Sequence, residues 1–411
     1  MVIVIMAMLS KISNDKIKST VWRYYLFCFL KNFAFFSAVL VPFFTQWGQI
    51  SLTQVQVLQS WFMFWIFLLE VPTGAIADYL GRKHSLALGA IIATVAALVY
   101  GSVPRFAVFL LGEFLFAMSA ALISGADSAL LYDTLKEAGK EDESKKIFGR
   151  AHTFHLLGVF ISAPLGSLIA SHFKLNAPML FSAIPMILAA LIAWSIKEPV
   201  VRGKTSESKR YLDIAKKGFS YFRNHKTLRL LAFDAIIVAS AAYFVIWLYQ
   251  PLFISMKVPV VYFGWFHASL VGIEMLIASN FVRLEKLFGS GKAYLRFTAV
   301  ITSVAFLITA AFPNIVTVIL LIVLAGGFGL TRLELMSAYM NRFIPSEQRA
   351  TVLSSISMFR RFTLVFLNPV IGFTADHSLR FALIVVGLLP WLVFLFSPLE
   401  QEVFEPAKKR T

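Results

Sequence analysis

The sequence predicts an all-α integral membrane protein that crosses the bilayer twelve times. Of its 411 residues, 58% are hydrophobic and only 15% are charged, a composition typical of membrane proteins rather than water-soluble ones. Apolar runs of about 20 residues, the length that crosses the hydrocarbon core as a helix, also recur along the chain. Both observations point to a polytopic membrane protein.

Twelve apolar runs can be counted, and each is predicted to form one helix. They are numbered α1 to α12 and cover residues 21–44, 53–77, 84–103, 106–133, 149–171, 177–196, 227–255, 259–284, 293–312, 314–341, 350–374 and 378–398. The long polar stretch between α6 and α7 divides them into two sets of six. We therefore expect an N-terminal tail (1–20), a six-helix bundle (21–196), a linker (197–226), a second bundle (227–398) and a C-terminal tail (399–411). The apolar first ten residues are too short to span a membrane, and Met8 is an alternative start.

The distribution of basic residues predicts the orientation. With both termini on one side, the tails and loops of that side carry 30 of the 38 Lys and Arg residues, and the loops of the other side carry four. Basic loops remain in the cytoplasm, so both termini are expected there, in a plasma or inner cell membrane. The formal net charge of +16 then reflects loops that face an anionic lipid leaflet. A lipid partner is expected, and a nucleic-acid partner is not.

The segment between α2 and α3 carries the most specific pattern. We expect Asp78 near the end of α2, a tight turn at Gly81, and Arg82 and Lys83 at the membrane surface. An ordinary basic turn is the alternative. The spacing of Gly74, Asp78, Gly81, Arg82, Lys83 and Leu86 resembles the signature loop of major facilitator superfamily transporters, although Ile76 and Tyr79 depart from the usual residues.

This resemblance implies two pseudo-symmetric six-helix bundles around a central cavity that is open to one side at a time. It also implies a cytoplasmic gate, in which Arg82 reaches an acidic residue at the end of α4, for which Asp133 is the candidate. Asp78 is expected to meet the start of α11 at Arg349, because a carboxylate is stabilised at a helix N-terminus. Glu70 is assigned to the same gate, with a coupling role as the alternative.

A faint internal repeat supports two related halves. The chain reads Phe-Gly-Arg-Ala at 148–151, after α4, and Glu-Gln-Arg-Ala at 347–350, after α10. Arg150 and Arg349 thus occupy matching places at the cytoplasmic face. Two six-helix halves of this kind fit a parallel repeat around an axis along the membrane normal.

Charged residues inside the apolar runs are the candidates for binding and coupling. A charge at the centre of a membrane helix costs about 2.5 to 3.5 kcal/mol, so these side chains should face water or one another. They are Lys31, Glu70, Glu113, Asp127, Asp234, Glu274, Arg332, Glu334, Arg360 and Arg361. Because α3, α6, α9 and α12 have no charged residue in their interiors, these four helices are expected to face lipid, as the resemblance also implies.

Proton coupling is the expected energy source, because a buried carboxylate is the simplest proton carrier. Asp234 is the first candidate and Glu274 the second, with Glu113 and Asp127 as further candidates. Lys31 and Arg332 are possible competing cations, and the partner of Lys31 is expected to be Glu274 or Asp234. Another coupling ion remains an alternative.

The expected function is secondary transport of a small organic solute, in which Trp247, Tyr249 and Gln250 contact the solute or, alternatively, pack in the bundle. Glu113 stands where related drug exporters have an arginine, and Gly158, Pro164 and Gly166 depart from the antiporter spacing in α5. Export of an amphipathic drug or metabolite and uptake of an anionic metabolite by a symporter or uniporter therefore both remain open.

An enzyme is a remote alternative, since the sequence has neither an aspartate-rich diphosphate site nor a His-Glu-x-x-His segment. The sequence also has no His, Cys or carboxylate cluster with metal-ligand spacing, and Cys28 is the single cysteine. Neither a metal nor a cofactor is expected, and a monomer is the expected oligomeric state.

Overall fold

The computed structural model describes residues 15–199, 219–345 and 349–396, except for a few side chains within these ranges. The expected C-terminal tail and most of the expected linker and N-terminal tail lie outside them. Helices and turns make up the described residues, which contain no strand. The fold class is all-α and membrane-spanning, as predicted.

The first half contains α1 to α6. Their bounds are Asp15–Lys31, Leu40–Pro42 and Phe43–Trp47 for α1, Leu52–Leu80 for α2, Arg82–Ser102 for α3, Phe106–Ser124 and Asp127–Glu137 for α4, Ser144–His172 for α5, and Ala177–Phe181 and Ala183–Ser195 for α6. The α2–α3 and α4–α5 loops lie on the side predicted to be cytoplasmic, which we call the basic side.

The second half contains α7 to α12. Their bounds are Lys226–Ser255 for α7, Phe263–Ser279 and Phe281–Leu287 for α8, Gly291–Ala311 for α9, Ile315–Leu320, Leu321–Gly329 and Arg332–Met340 for α10, Arg349–His377 for α11, and Leu379–Leu388 and Trp391–Phe396 for α12. In the described part of the chain, α2 to α11 give ten helices that are long and apolar enough to span a membrane, and α12 gives a shorter apolar helix.

The prediction of one continuous α1 over 21–44 is wrong. The helix ends at Lys31 and resumes at Leu40. The backbone of the interruption, residues 32–39, bonds to neighbouring helices instead: the Ser162 hydroxyl of α5 donates to the Ala34 carbonyl at 3.2 Å, and the Phe35 amide donates to the Ser182 hydroxyl at 2.9 Å. Irregular backbone at membrane depth is tolerated where protein surrounds it and satisfies its polar groups.

Glycines of α5 let this interruption approach closely. A Cβ atom on Gly158 would lie 2.5 Å from the carbonyl oxygen of Phe29, and one on Gly166 would collide with the carbonyl of Phe35. These two glycines therefore form the surface of α5 that contacts α1.

The two halves join along α2 and α11. Pro369 has no amide hydrogen, which frees the Val365 carbonyl one turn earlier, and this carbonyl accepts a hydrogen bond from the Ser60 hydroxyl at 2.8 Å. Closer to the end of α11, Asp376 accepts the backbone amides of Leu52 and Thr53 at 2.8 Å each, and so caps the start of α2. A carboxylate from one half thus holds a helix N-terminus of the other.

This contact lies on the side opposite the basic side, where further contacts join the halves. The Ser167 hydroxyl of α5 donates to the Val261 carbonyl just before α8 at 2.9 Å, and the Val41 amide of α1 donates to the Gln250 side chain of α7 at 3.0 Å. On the basic side, by contrast, the two main clusters of buried apolar residues each belong to one half. The halves are therefore closely joined on the opposite side and have separate cores on the basic side.

Candidate functional site

A cavity of about 450 Å³ lies between the helices of the first half and is completed by Trp247 of α7. Most of its wall is apolar and includes Phe36, Phe62 and Phe116. Its polar lining residues include Lys31, Asn32, Gln59, Tyr100, Glu113 and Asp127. The cavity can therefore hold a small organic molecule with an apolar body and a few polar groups.

Glu113 is the most buried carboxylate of the cavity wall, with 7% of the residue exposed. Its Oε1 atom accepts hydrogen bonds from the Gln59 amide at 2.9 Å and from the Tyr100 hydroxyl at 2.8 Å. Among the described residues, no cation lies within ion-pair distance of it. Neutral donors from α2 and α3 thus fix the position of a carboxyl group on α4 without compensating its charge.

Lys31 pairs with Asp127, at 3.8 Å between Nζ and Oδ2, and not with either of the two expected partners, Glu274 and Asp234. Both residues line the cavity and are about one-fifth exposed. Lys31 is the last residue before the interruption in α1, and Asp127 begins the last segment of α4. This pair brings together two of the residues predicted as candidates for binding and coupling.

Asp234 and Arg332 form a second ion pair, which lies away from the cavity wall. Only 2% of Asp234 and 1% of Arg332 are exposed. The Arg332 Nε atom donates to Asp234 Oδ1 at 2.7 Å, and its guanidinium also donates to the Leu295 carbonyl at 2.6 Å and to the Thr298 hydroxyl. This fully bonded pair joins α7, α9 and α10. It is more consistent with a structural role than with the first rank that sequence reasoning gave Asp234 in coupling.

Two ion pairs cross between the halves. Glu70 of α2 forms an ion pair with Arg361 of α11 at 2.9 Å. This pair lies nearer to the basic side than the hydrogen bond of Ser60 to α11 does. Glu334 of α10 lies 3.5 Å from His152 of α5. Glu274 lies partly buried near Glu334, and neither it nor Arg360 has an ion-pair partner among the described residues.

The predicted contact between Arg82 and Asp133 is present, because the Arg82 guanidinium donates to the Asp133 carboxylate. Gly81 has a positive φ of 96°, as the tight turn requires. Glu198, which follows α6, accepts the amides of Arg82 at 2.6 Å and Lys83 at 2.8 Å, and so caps α3. The loop is thus anchored to α4 and to the segment after α6.

Of the remaining gate candidates, the side chain of Asp78 lies outside the described part of the structure, so its contact with α11 stays a prediction. The Cα atom of Gly74 would lie 3.5 Å from a Cβ atom on Gly125 of α4, a close approach of two helices. Arg150 lies beside Tyr25 of α1. Arg349 donates to the Asn341 carbonyl at 3.4 Å, within its own half.

The three α7 residues suggested as solute contacts separate into two groups. Trp247 lines the cavity. Tyr249 instead bonds to His267 of α8 at 3.0 Å, and Gln250 accepts the Val41 amide of α1. Tyr249 and Gln250 therefore hold helices together in this structure.

Sequence reasoning missed several residues of the site. Gln59 and Tyr100 are uncharged and lie in apolar helices, so a search for buried charges does not find them. Glu198 and Asp376 are charged, but they lie near helix ends where charges are common. Their roles follow from the packing of distant segments rather than from any local pattern.

Comparison with known proteins supports the same architecture. The family model of the Major Facilitator Superfamily matches residues 21–362. No curated protein matches the chain in sequence. Among solved structures, the nucleoside transporter NupG is similar with a TM-score of 0.74 and 14% identity, and the match covers 94% of this chain and 100% of NupG.

Two further structures are similar over nearly their whole length. An inward-facing, unoccupied bacterial homologue of the human lysosomal transporter Spinster has a TM-score of 0.76 and 16% identity, covering 95% of this chain and 98% of that one. A POT family transporter in complex with 5-aminolevulinic acid has a TM-score of 0.70 and 13% identity, covering 94% and 96%. At these identities the structures establish the fold, and the family match extends over more than half of the chain. The chain therefore belongs to the Major Facilitator Superfamily, and it is a secondary transporter rather than an enzyme.

Proposed function

We propose that this transporter moves a small organic solute through the cavity and couples its movement to a proton carried by Glu113. The observation that carries this proposal is the position of Glu113. It is a buried carboxyl group in the cavity wall, bonded to the neutral donors Gln59 and Tyr100 and without a cation partner among the described residues. An ionised carboxylate is costly in such surroundings, whereas a protonated one is not.

Two of the other candidate proton carriers, Asp234 and Asp127, are weaker because each forms an ion pair. Asp234 already has Arg332 as a fully buried partner, and Asp127 has Lys31. A carboxylate with a fixed cation beside it is stabilised in its charged form and needs a larger rearrangement to take up a proton. Glu113 needs only access to water to take up or release a proton. This access changes as the transporter alternates between its two open states.

The contacts between the halves support a cavity that opens toward the cytoplasm in this structure. We assign the basic side to the cytoplasm, following the distribution of Lys and Arg. The halves are closely joined on the opposite side and have separate cores on the basic side. This arrangement corresponds to a state that faces the cytoplasm, in the plasma or inner cell membrane.

The test uses purified transporter in liposomes and a solute found by thermal-shift screening of metabolites and drugs. One proton per solute stores about 1.4 kcal/mol per unit of pH gradient, enough for about tenfold accumulation. Glu113→Gln should abolish this accumulation and retain solute counterflow, because the amide keeps the shape of the site but carries no exchangeable charge.

Asp142→Asn is the matched control, since it removes an exposed carboxylate from the loop between α4 and α5. It should accumulate solute like the wild type. Uphill accumulation by Glu113→Gln with an unchanged pH dependence would exclude Glu113 as the proton carrier.

A further inference from the structure

Four polar side chains of α7 and α11 have buried nitrogen or oxygen atoms near the cavity that make no hydrogen bond within the described part of the chain. They are Tyr243 and Trp247 on α7 and Arg360 and Asn368 on α11, and we call them the α7–α11 polar cluster. The Tyr243 hydroxyl, the Trp247 and Arg360 Nε atoms and both amide atoms of Asn368 have no partner in the described part of the chain. Buried polar groups in native proteins are nearly always hydrogen-bonded, so such a concentration requires an explanation.

These groups lie close to one another. The helices α7 and α11 pack together, and the rings of Tyr243 and Trp247 are 6.3 Å apart between centroids. The polar neighbours of the Tyr243 hydroxyl are Trp247, Arg360, Asn368 and, across the cavity, Glu113. Asn368 is completely buried, and Trp247, 5% exposed, is part of the cavity wall. The cluster therefore lies where the wall of the cavity passes from the first half to the second.

The charge of the cluster is positive and uncompensated. Each of the other three cations inside the helices has a carboxylate: Lys31 has Asp127, Arg332 has Asp234 and Arg361 has Glu70. Arg360 has none within ion-pair distance among the described residues. Its Nε atom is buried although the residue as a whole is partly exposed. A guanidinium that is partly removed from water without an anion is energetically costly, and a bound anion offsets this cost.

We propose that the α7–α11 polar cluster binds the carboxylate group of an organic acid, which is the transported solute. The planar fork of an arginine guanidinium matches a carboxylate in a bidentate geometry. The Trp247 indole, the Tyr243 hydroxyl and the Asn368 amide are additional donors. The apolar body of the acid then occupies the cavity beside Phe36, Phe62 and Phe116. This inference rests on the proposed function in taking the cavity as the solute site, and it adds the chemical class of the solute.

The experiment compares pairs of ligands that differ only in charge. Purified full-length protein is titrated calorimetrically with benzoate, phenylacetate and hexanoate, and with the corresponding amides benzamide, phenylacetamide and hexanamide. Phenyl phosphate and benzenesulfonate test other anionic groups. We expect at least one carboxylate to bind more tightly than its amide and than either of these two anions. Equal affinity for every carboxylate and its amide would overturn the proposal, and it is the result expected if only water fills the cluster. Tighter binding of the phosphate or sulfonate would overturn the assignment to organic acids.

Variants locate the charge that recognises the ligand. Arg360→Gln should weaken carboxylate binding about ten- to hundredfold and leave amide binding unchanged, because charged hydrogen bonds contribute strongly. Arg380→Gln removes the same charge at an exposed site at the start of α12, and it should keep the preference of the wild type. A preference for carboxylates that survives in Arg360→Gln would overturn the proposal.

A second variant covers the case in which Arg360→Gln does not fold. Tyr243→Phe removes one hydroxyl group and should weaken carboxylate binding about three- to tenfold relative to the amide. An unchanged ratio would count against the cluster as the binding site. Loss of the preference in these variants, together with uphill accumulation by Glu113→Gln, would support the carboxylate site and reject Glu113 as proton carrier, so the two proposals fail separately.

Discussion

A charged partner can define the role of a charged side chain within the membrane helices. Asp234 and Arg332 illustrate this, because the pair is almost completely buried and the arginine also bonds to α9. Two charges in such a place stabilise each other, but either one alone is left without solvent or counter-charge. The pair should therefore contribute to the stability of the second half and not to proton coupling.

Asp234→Asn should lower the stability of the protein by about 3 to 5 kcal/mol, because it leaves Arg332 buried without a counter-charge. Thermal unfolding in detergent measures this as a lower Tm. The double variant Asp234→Leu with Arg332→Leu should recover part of the loss, since it removes both charges. A Tm of Asp234→Asn equal to that of the wild type would contradict the structural role.

The sequence shows which charges are buried but not which of them meet. The cost of a charge in hydrocarbon predicts that Lys31 has a partner. The choice of Asp127 depends on how α1 and α4 are rotated and on where α1 is interrupted. The contact of Arg82 with Asp133 was predictable because the resemblance of the loop to the superfamily pattern implies it.

Among the helices, α1 shows how far tertiary contacts override a local pattern. Residues 32–39 contain neither glycine nor proline and continue an apolar run, so the sequence predicts helix there. The interruption is made by α5 and α6, whose serines bond to its backbone and whose glycines make room for it. Information of this kind is distributed over more than 100 residues of chain and is not visible in a single run.

Gly166→Ala should disturb this packing, because the added methyl group would collide with the Phe35 carbonyl. A misfit of this size in a packed interface costs about 1 to 3 kcal/mol, which thermal unfolding detects. Gly149→Ala, in the same helix, is the matched control, since its methyl group would meet nothing within 4 Å. It should not lower the Tm. Equal Tm values for the two variants would show that α1 does not depend on close contact with α5.

In the whole molecule, the cap that Asp376 places on α2 is one of the contacts that close the side opposite the basic side. A carboxylate at a helix N-terminus contributes about 0.3 to 1 kcal/mol through the helix dipole alone. Opening this side requires the cap to be broken, so the cap biases the transporter toward the state described here.

Asp376→Asn should therefore increase the population that is open on this side by up to about fivefold. Spin labels at positions 174 and 380, on exposed residues of the two halves, would report this as a larger share of long distances in a variant without Cys28. Asp142→Asn should leave the distance distribution unchanged. An identical distance distribution in Asp376→Asn and the wild type would show that the cap does not help to close this side.

The interruption in α1 also has a consequence for the order in which the protein is made. The ribosome completes α1 before α5 and α6, yet the backbone of residues 32–39 accepts a hydrogen bond from Ser162 and donates one to Ser182. Until those helices enter the membrane, these polar groups must remain hydrated or adopt another conformation. In a nascent chain without Cys28 that stops after α4, a cysteine introduced by Ser37→Cys should react with a water-soluble maleimide, and in one that stops after α6 it should be protected. The first helix to leave the ribosome is thus among the last of its half to reach its final shape.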